Sequence, residues 1–129
     1  MASELRVNTL KDASGNNSVA TSTVAQGSAK AWANYVGSGT TLEDSFNTAS
    51  ATDNGTGQYT YNWSSNLANA TYEGNVFSQG TGTANTACYS NLYFGGMAAG
   101  SLRVNHFNQA APALGDTANI SVSVHGDLA

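Results

Sequence analysis

The chain has few charged residues. Its 129 residues carry four Lys and Arg against eight Asp and Glu, for a charged fraction of 9% and a net charge of −4. Ordinary globular proteins carry about 25% charged residues. Binding to nucleic-acid phosphates or to an anionic membrane surface needs clustered Lys and Arg. The four basic residues are spread from Arg6 to Arg103, so the sequence predicts no nucleic-acid partner and no polybasic membrane anchor.

Large hydrophobic residues are also scarce. Eight Leu, eight Val, one Ile and four Phe make 21 of the 129 residues, or about 16%. Chains of high net charge in which these four residue types fall below roughly 20% are usually disordered. Here the net charge is low, and six Tyr and two Trp fall largely in alternating segments. We therefore expect a folded chain with a small core, in which a subunit interface supplies apolar burial that a lone subunit lacks.

Three further absences narrow the class of protein. Cys88 is the single cysteine, which excludes an internal disulfide framework. No run approaches the 18 apolar residues of a membrane-spanning helix, so we expect no membrane insertion. The opening residues have neither a basic start nor an apolar run, so we expect no secretory signal peptide.

The pattern divides the chain unevenly into residues 1–28 and residues 29–129. Residues 3–12 alternate briefly, with Leu5 and Val7 on one face, and a turn cluster follows at residues 13–18. Residues 18–29 are small and polar. The sequence predicts that residues 1–28 form an extended N-terminal arm that folds against a partner or stays mobile.

Residues 29–129 show strand-like alternation interrupted by Gly and Asn turns. The strongest turn, residues 53–57, leads into the clearest strand, Gln58 to Ser64. The other candidate strands are Lys30–Val36, Asp44–Ala49, Tyr72–Ser78, Ala87–Phe94, Ser101–Phe107 and Asn119–Gly126. The best short helical candidate, Asn66–Ala70, is one turn at most, and Pro112 falls in a predicted loop. This spacing predicts an all-β antiparallel β-sandwich that is jelly-roll-like.

Residues able to perform chemistry are few and scattered. His106 and His125 lie in predicted strands, and Cys88 has no local sequence context of a cysteine nucleophile or a zinc site. A small buried thiol is the favoured interpretation of Cys88. Gly80–Gly82 and Gly95–Gly96 precede no helical segment, so neither predicts a phosphate cradle. We expect no enzyme activity, no metal and no cofactor.

Two acidic segments and one aromatic set allow alternatives. Glu43 and Asp44 favour a solvated loop over acid–base or calcium chemistry, and residues 53–57 favour a plain turn over a calcium loop. Tyr59, Tyr61 and Trp63 share one strand face, and with Trp32 they form either a sugar-stacking platform or, as we favour, a core or subunit interface.

Four segments carry a resemblance to known proteins. Residues 3–15, 25–35, 43–50 and 52–63 resemble small virion proteins of tailed bacteriophages, namely capsid cement or decoration knobs and related tail-fibre modules. The resemblance implies a non-enzymatic, β-rich homotrimer on the virion, assembled in the host cytoplasm.

Two placements on the virion compete. A start at Met1, a length of 129 residues and the lack of shaft repeats favour a decoration protein that binds the major capsid protein on the outer capsid surface. The arm would then be the contact, and its candidate residues are Leu5, Arg6, Val7, Leu10 and Lys11. The alternative is a tail-fibre or head-fibre tip module that binds a host-surface glycan through aromatic and Asn-rich loops.

Overall fold

A computed structural model describes residues 3–37, 41–79, 88–108 and 113–129. Its described elements, in chain order, are β1 (Thr9–Lys11), β2 (Ser18–Ala20), α1 (Thr21–Gly27), β3 (Ala31–Val36), β4 (Leu42–Phe46), β5 (Thr48–Gly55), β6 (Gln58–Trp63), β7 (Glu73–Gln79), β8 (Cys88–Ala98), β9 (Ser101–Asn108), β10 (Ala113–Leu114) and β11 (Asn119–His125). The first three elements belong to the N-terminal arm.

The eight longer strands form two packed antiparallel sheets, which confirms the predicted all-β antiparallel sandwich. In the first sheet the order is β4–β3–β11–β7. In the second sheet the order is β5–β6–β9–β8. The short β10 also pairs with β9, on the same side of β9 as β6. Strands that follow one another form the hairpins β3–β4, β5–β6 and β8–β9, while β11 returns to lie between β3 and β7.

The core lies between the central strands of the two sheets. Side chains alternate between buried and partly exposed along β6 and β11, as expected for strands with one packed face. The buried hydrophobic residues are Ala31, Ala33, Tyr35, Tyr59, Tyr61, Trp63, Leu67, Tyr72, Leu102, Val104, Ile120, Val122 and Val124. Four of these residues are tyrosines, namely Tyr35, Tyr59, Tyr61 and Tyr72, so tyrosine supplies much of the volume of the core.

Three tyrosine rings meet at the centre of this core. Tyr35 of β3 packs against Tyr59 and Tyr61 of β6, with ring centroids 5.5 Å and 6.2 Å apart. The Tyr61 hydroxyl donates to the Ile120 carbonyl at 3.1 Å, and the Tyr59 hydroxyl donates to the Gly37 carbonyl at 2.9 Å. Because both acceptors belong to the opposite sheet or its flanking turn, these two bonds fix the sheets against each other.

The chain crosses from the first sheet to the second at Asn47. The sequence predicts one strand over Asp44–Ala49, and the structure corrects this: β4 ends before Asn47 and β5 begins after it. Asn47 has a φ of 53°, a left-handed conformation that asparagine tolerates better than most residues. Its side-chain amide donates to the Lys30 and Ser65 carbonyls at 3.0 Å, so the corner is pinned from both sides.

Other local predictions differ from the structure. Residues 66–70 form no helix; instead the buried Leu67 bridges to Leu128. Glu43 and Asp44 lie in strand β4 rather than in a loop, although both stay exposed. The predicted strand over residues 3–12 is reduced to β1, and the helix α1 forms where the sequence predicts extended chain. Gly80–Gly82 and Pro112 lie outside the described residues.

The buried tyrosines predict instability in alkali. Burial raises the pKa of Tyr61, as do the neighbouring Tyr35 and Tyr59, and burial together with the Asp116 charge raises the pKa of Tyr59. An unfolded tyrosine releases its proton near pH 10, whereas the folded protein retains it. The contribution of these tyrosines to the free energy of unfolding is therefore fully present below about pH 10 and is lost progressively as the pH rises above it.

We expect urea-unfolding midpoints to fall steeply between about pH 10 and pH 12, with tyrosinate absorbance appearing together with unfolding. Tyr61→Phe removes one linked proton and should make this decline shallower, after an initial loss of about 1 kcal/mol from the missing hydrogen bond. Tyr89→Phe, at a ring that is 46% exposed, is the control. Equal pH slopes in the two variants would contradict the prediction.

Candidate functional site

The N-terminal arm is folded locally. Strands β1 and β2 pair as a short hairpin in which Leu10 lies opposite Val19. Helix α1 follows β2 directly, and the Thr21 hydroxyl at its start lies within hydrogen-bonding distance of the Val7 and Asn8 carbonyls, at 3.0 Å and 3.2 Å. Thr21 thus ties the residues before β1 to the start of the helix, and the arm becomes one local unit.

Almost no side chain of this unit is buried. Every residue from 3 to 28 is exposed except Thr21, which is half-buried, and none contributes to the core of the sandwich. The predicted contact residues Leu5, Arg6, Val7, Leu10 and Lys11 are all exposed. Leu5 and Val7 precede β1 with no strand partner, whereas Leu10 and Lys11 lie within β1.

The hairpin presents a small apolar face. Leu10 is 44% exposed and Val19 is 37% exposed. Directly opposed residues of an antiparallel pair project to the same face, so these two side chains form one contiguous patch. The patch borders Lys11 and Asp12, two residues of opposite charge that line the same shallow recess as Leu10 and Val19.

The hairpin turn is organised by Asp12. Its carboxylate accepts hydrogen bonds from the Asn16 backbone N–H at 3.0 Å and from the Asn17 side chain at 2.8 Å. Desolvation raises the pKa of this carboxyl, but these bonds together outweigh desolvation and lower the pKa below its ordinary value. The charged form of Asp12 therefore favours the folded turn.

The residues singled out for chemistry lie on four different strands. His106 is fully buried in β9, where its Nδ1 lies 3.2 Å from the Ser90 hydroxyl. His125 lies at the end of β11 opposite Glu73 of β7. Cys88 begins β8, but its side chain lies outside what the structure describes. Glu43 accepts a hydrogen bond from the Asn34 side chain at 3.0 Å, which gives it a surface partner.

Within residues 3–37, 41–79, 88–108 and 113–129, no three His, Cys, Asp or Glu side chains are grouped so as to hold a metal ion. Across the same residues, no helix has the length and apolar character needed to cross a membrane.

The aromatic residues divide into a core set and a surface set. Tyr59, Tyr61 and Trp63 are buried, which confirms the core interpretation. Trp32 belongs to the opposite face of β3 and is partly exposed beside Phe46 of β4. Phe77 of β7 is 70% exposed on the same outer face. Phe46 and Phe77 are surface groups that were not predicted. For Phe77 the available signal was its alternation with the partly buried Val76.

Comparison with protein-family models, with curated proteins and with solved structures finds no match to this chain. The arm and the outer faces of the sheets are therefore interpreted from their own chemistry.

The Asp12 carboxylate makes the arm hairpin sensitive to acid. Because its pKa is lowered on folding, its contribution is present above about pH 4 and is lost as the pH falls through the folded value. We expect amide protection across Leu10 and Val19 to fall below about pH 4 while the sandwich amides stay protected.

Asp12→Ala should reduce hairpin protection at neutral pH and remove its acid dependence. Asp44→Ala is the matched control, because Asp44 is also exposed but lies in strand β4, where its carboxylate accepts a bond from the backbone N–H of the adjacent Ser45. Hydrogen exchange followed by NMR measures both. A hairpin that keeps its acid response in Asp12→Ala would disprove the role of this carboxylate.

Proposed function

We propose that this protein is a trimeric decoration protein that binds the outer capsid surface of a tailed bacteriophage and stabilises the head. The observation that carries the proposal is the arm itself: a locally folded unit of residues 3–28 whose apolar side chains contribute nothing to the core. A segment that is ordered without burying its own apolar groups is suited to burying them against a partner.

The apolar patch gives the arm a source of affinity. Full burial of a Leu or Val side chain is favourable by about 1.5–3 kcal/mol, and Leu10 and Val19 are each more than one-third exposed. Two such residues bind weakly in one copy. Three arms held in one trimer engage three equivalent sites, so that weak contacts add up to a stable attachment.

The residues before β1 supply a second kind of contact. Residues 3–7 lie in no helix or strand, and an extended segment can add to the edge of a partner sheet through main-chain hydrogen bonds. The charges of Arg6 and Glu4 are already paired. This contact would therefore depend mainly on shape and main-chain hydrogen bonding and would be little weakened by salt.

The trimer is supported by aromatic residues that the subunit leaves exposed. On the second sheet, Tyr89 stacks on Phe107 at a centroid distance of 4.9 Å, and Phe94 is 98% exposed. Aromatic side chains are enriched at the centres of subunit interfaces. We assign this outer face of β8 and β9 to contact between copies, which would add apolar burial to a core that has little.

Deletion of residues 1–28 tests the arm as the anchor. The truncated protein should remain a soluble trimer, because no arm residue belongs to the core, but it should no longer co-sediment with purified capsids that lack the protein. Electron cryomicroscopy of the decorated capsid gives the location directly. Decoration by the truncated protein, or a virion in which the protein occurs only at the tail, would refute the proposal.

A single substitution tests the apolar patch. Leu10→Asp places a charge on the face that we assign to the capsid and should weaken capsid binding at least tenfold, which corresponds to about 1.4 kcal/mol. Leu128→Asp is the matched control, since Leu128 is 49% exposed and lies outside the arm. Equal loss of capsid binding in both variants would show that the patch has no special role.

A further inference from the structure

A shallow cavity lies on the outer face of the first sheet, away from the arm. It has a volume of about 280 Å³, near the lower end of the size range of small-molecule sites. Ser121 of the central strand β11 pairs with Asn34 of β3 on one side and with Phe77 of β7 on the other. The small serine lies between two larger side chains, and this difference in size creates the depression.

The lining is polar but carries no charge. It consists of Asn34, Phe77, Ser78, Gln79, Asn119 and Ser121. Each amide side chain offers both a donor and an acceptor, and the serine hydroxyl offers the same pair. Phe77 adds one aromatic ring, 70% exposed at the edge strand. A ligand that has both hydroxyl groups and an apolar face would find partners for the first in these polar groups and for the second in the exposed ring.

One amide side chain of the lining is held in place by its neighbours. The Asn34 amide donates to the Glu43 carboxylate at 3.0 Å and accepts from the Ser121 hydroxyl at 3.3 Å. At the other end of the cavity, the buried Thr117 hydroxyl bonds to the main-chain carbonyls of Gln79 and Asn119. One side chain and the backbone at the far end are therefore fixed before any ligand arrives, which lowers the entropic cost of binding.

We propose that this cavity binds a neutral sugar unit, a hexopyranose or its N-acetylated form, within a glycan. The ring of Phe77 would stack on the apolar face of the sugar, and Asn34 and Gln79 would bond its hydroxyls. An anionic ligand fits poorly, because the lining has no Lys or Arg and Glu43 stands next to Asn34. A second copy of the chain fits less well than a sugar, because the centre of a subunit interface is aromatic and apolar and five of the six residues that line this recess are polar.

The proposed site is independent of capsid attachment. It lies on β3, β7 and β11, whereas the contact assigned to the capsid lies on residues 3–28. A single open site of this size binds weakly, with a dissociation constant on the order of 1 mM. If the protein is the trimer of the proposed function, three sites on one particle component would raise the effective affinity for a multivalent glycan.

Titration of the ¹⁵N-labelled protein with neutral sugars tests the site. The probes are glucose, galactose, mannose, N-acetylglucosamine and N-acetylgalactosamine, each raised to concentrations on the order of tens of millimolar. We expect at least one to shift the amide signals of Asn34, Phe77, Asn119 and Ser121 in a saturable manner. Phe77→Ala should weaken that binding by up to about tenfold, as expected for loss of an aromatic contact.

Phe46→Ala is the matched control, because Phe46 is a 52% exposed aromatic residue on the same outer face but outside the cavity. It should leave the sugar affinity unchanged, and Phe77→Ala should leave capsid co-sedimentation unchanged, so that failure of the sugar site and failure of the proposed function are separate results. The inference is overturned if no sugar shifts these amides, or if Phe77→Ala binds as well as the unaltered protein. It is equally overturned if the same amides shift with protein concentration alone, since a second copy would then occupy the face.

Discussion

Tyrosine fills the space between the two sheets because the chain has too few large aliphatic residues to do so, and every buried tyrosine hydroxyl then needs an acceptor. The Tyr59 and Tyr61 hydroxyls find theirs in main-chain carbonyls across the sandwich. Since a carbonyl accepts well only near its lone-pair directions, the two sheets have little freedom to slide. A hydrocarbon core of equal volume would hold them together without fixing their relative position to the same degree.

The sequence pattern predicts the strands of the sandwich but not the point at which the chain crosses from one sheet to the other. Alternation along Gln58–Trp63 and Asn119–His125 predicts both strands and the face that each one buries, because alternate residues of a strand point to opposite faces of the sheet. The break at Asn47 was not predictable from alternation, since it depends on the Lys30 and Ser65 carbonyls that the fold brings close. Helix α1 is seven residues long, too short for a helical period to stand out from small residues.

The candidate surfaces were predictable to different extents. Leu10 and Val19 could be expected near the surface, because residues 1–28 contain too few apolar groups to build a core. The sugar-binding cavity could not, because Asn34, Ser121 and Phe77 are far apart in sequence and become neighbours only when β11 inserts between β3 and β7. The outer surface as a whole relies on amide and hydroxyl groups rather than on charge, which suits a protein whose contacts are to be insensitive to ionic strength.

The junction between the arm and the sandwich also determines how the molecule bears a load. The arm joins the sandwich at Lys30, whose N–H donates to the Val124 carbonyl at 2.8 Å, immediately before β3. Strand β3 is an inner strand, paired with β11 on one side and β4 on the other. Tension on the arm would therefore act in shear on two hydrogen-bonded ladders at once, whereas an edge strand could be peeled away one bond at a time. If residues 1–28 are the anchor, as we propose, the sandwich would resist being pulled away from them.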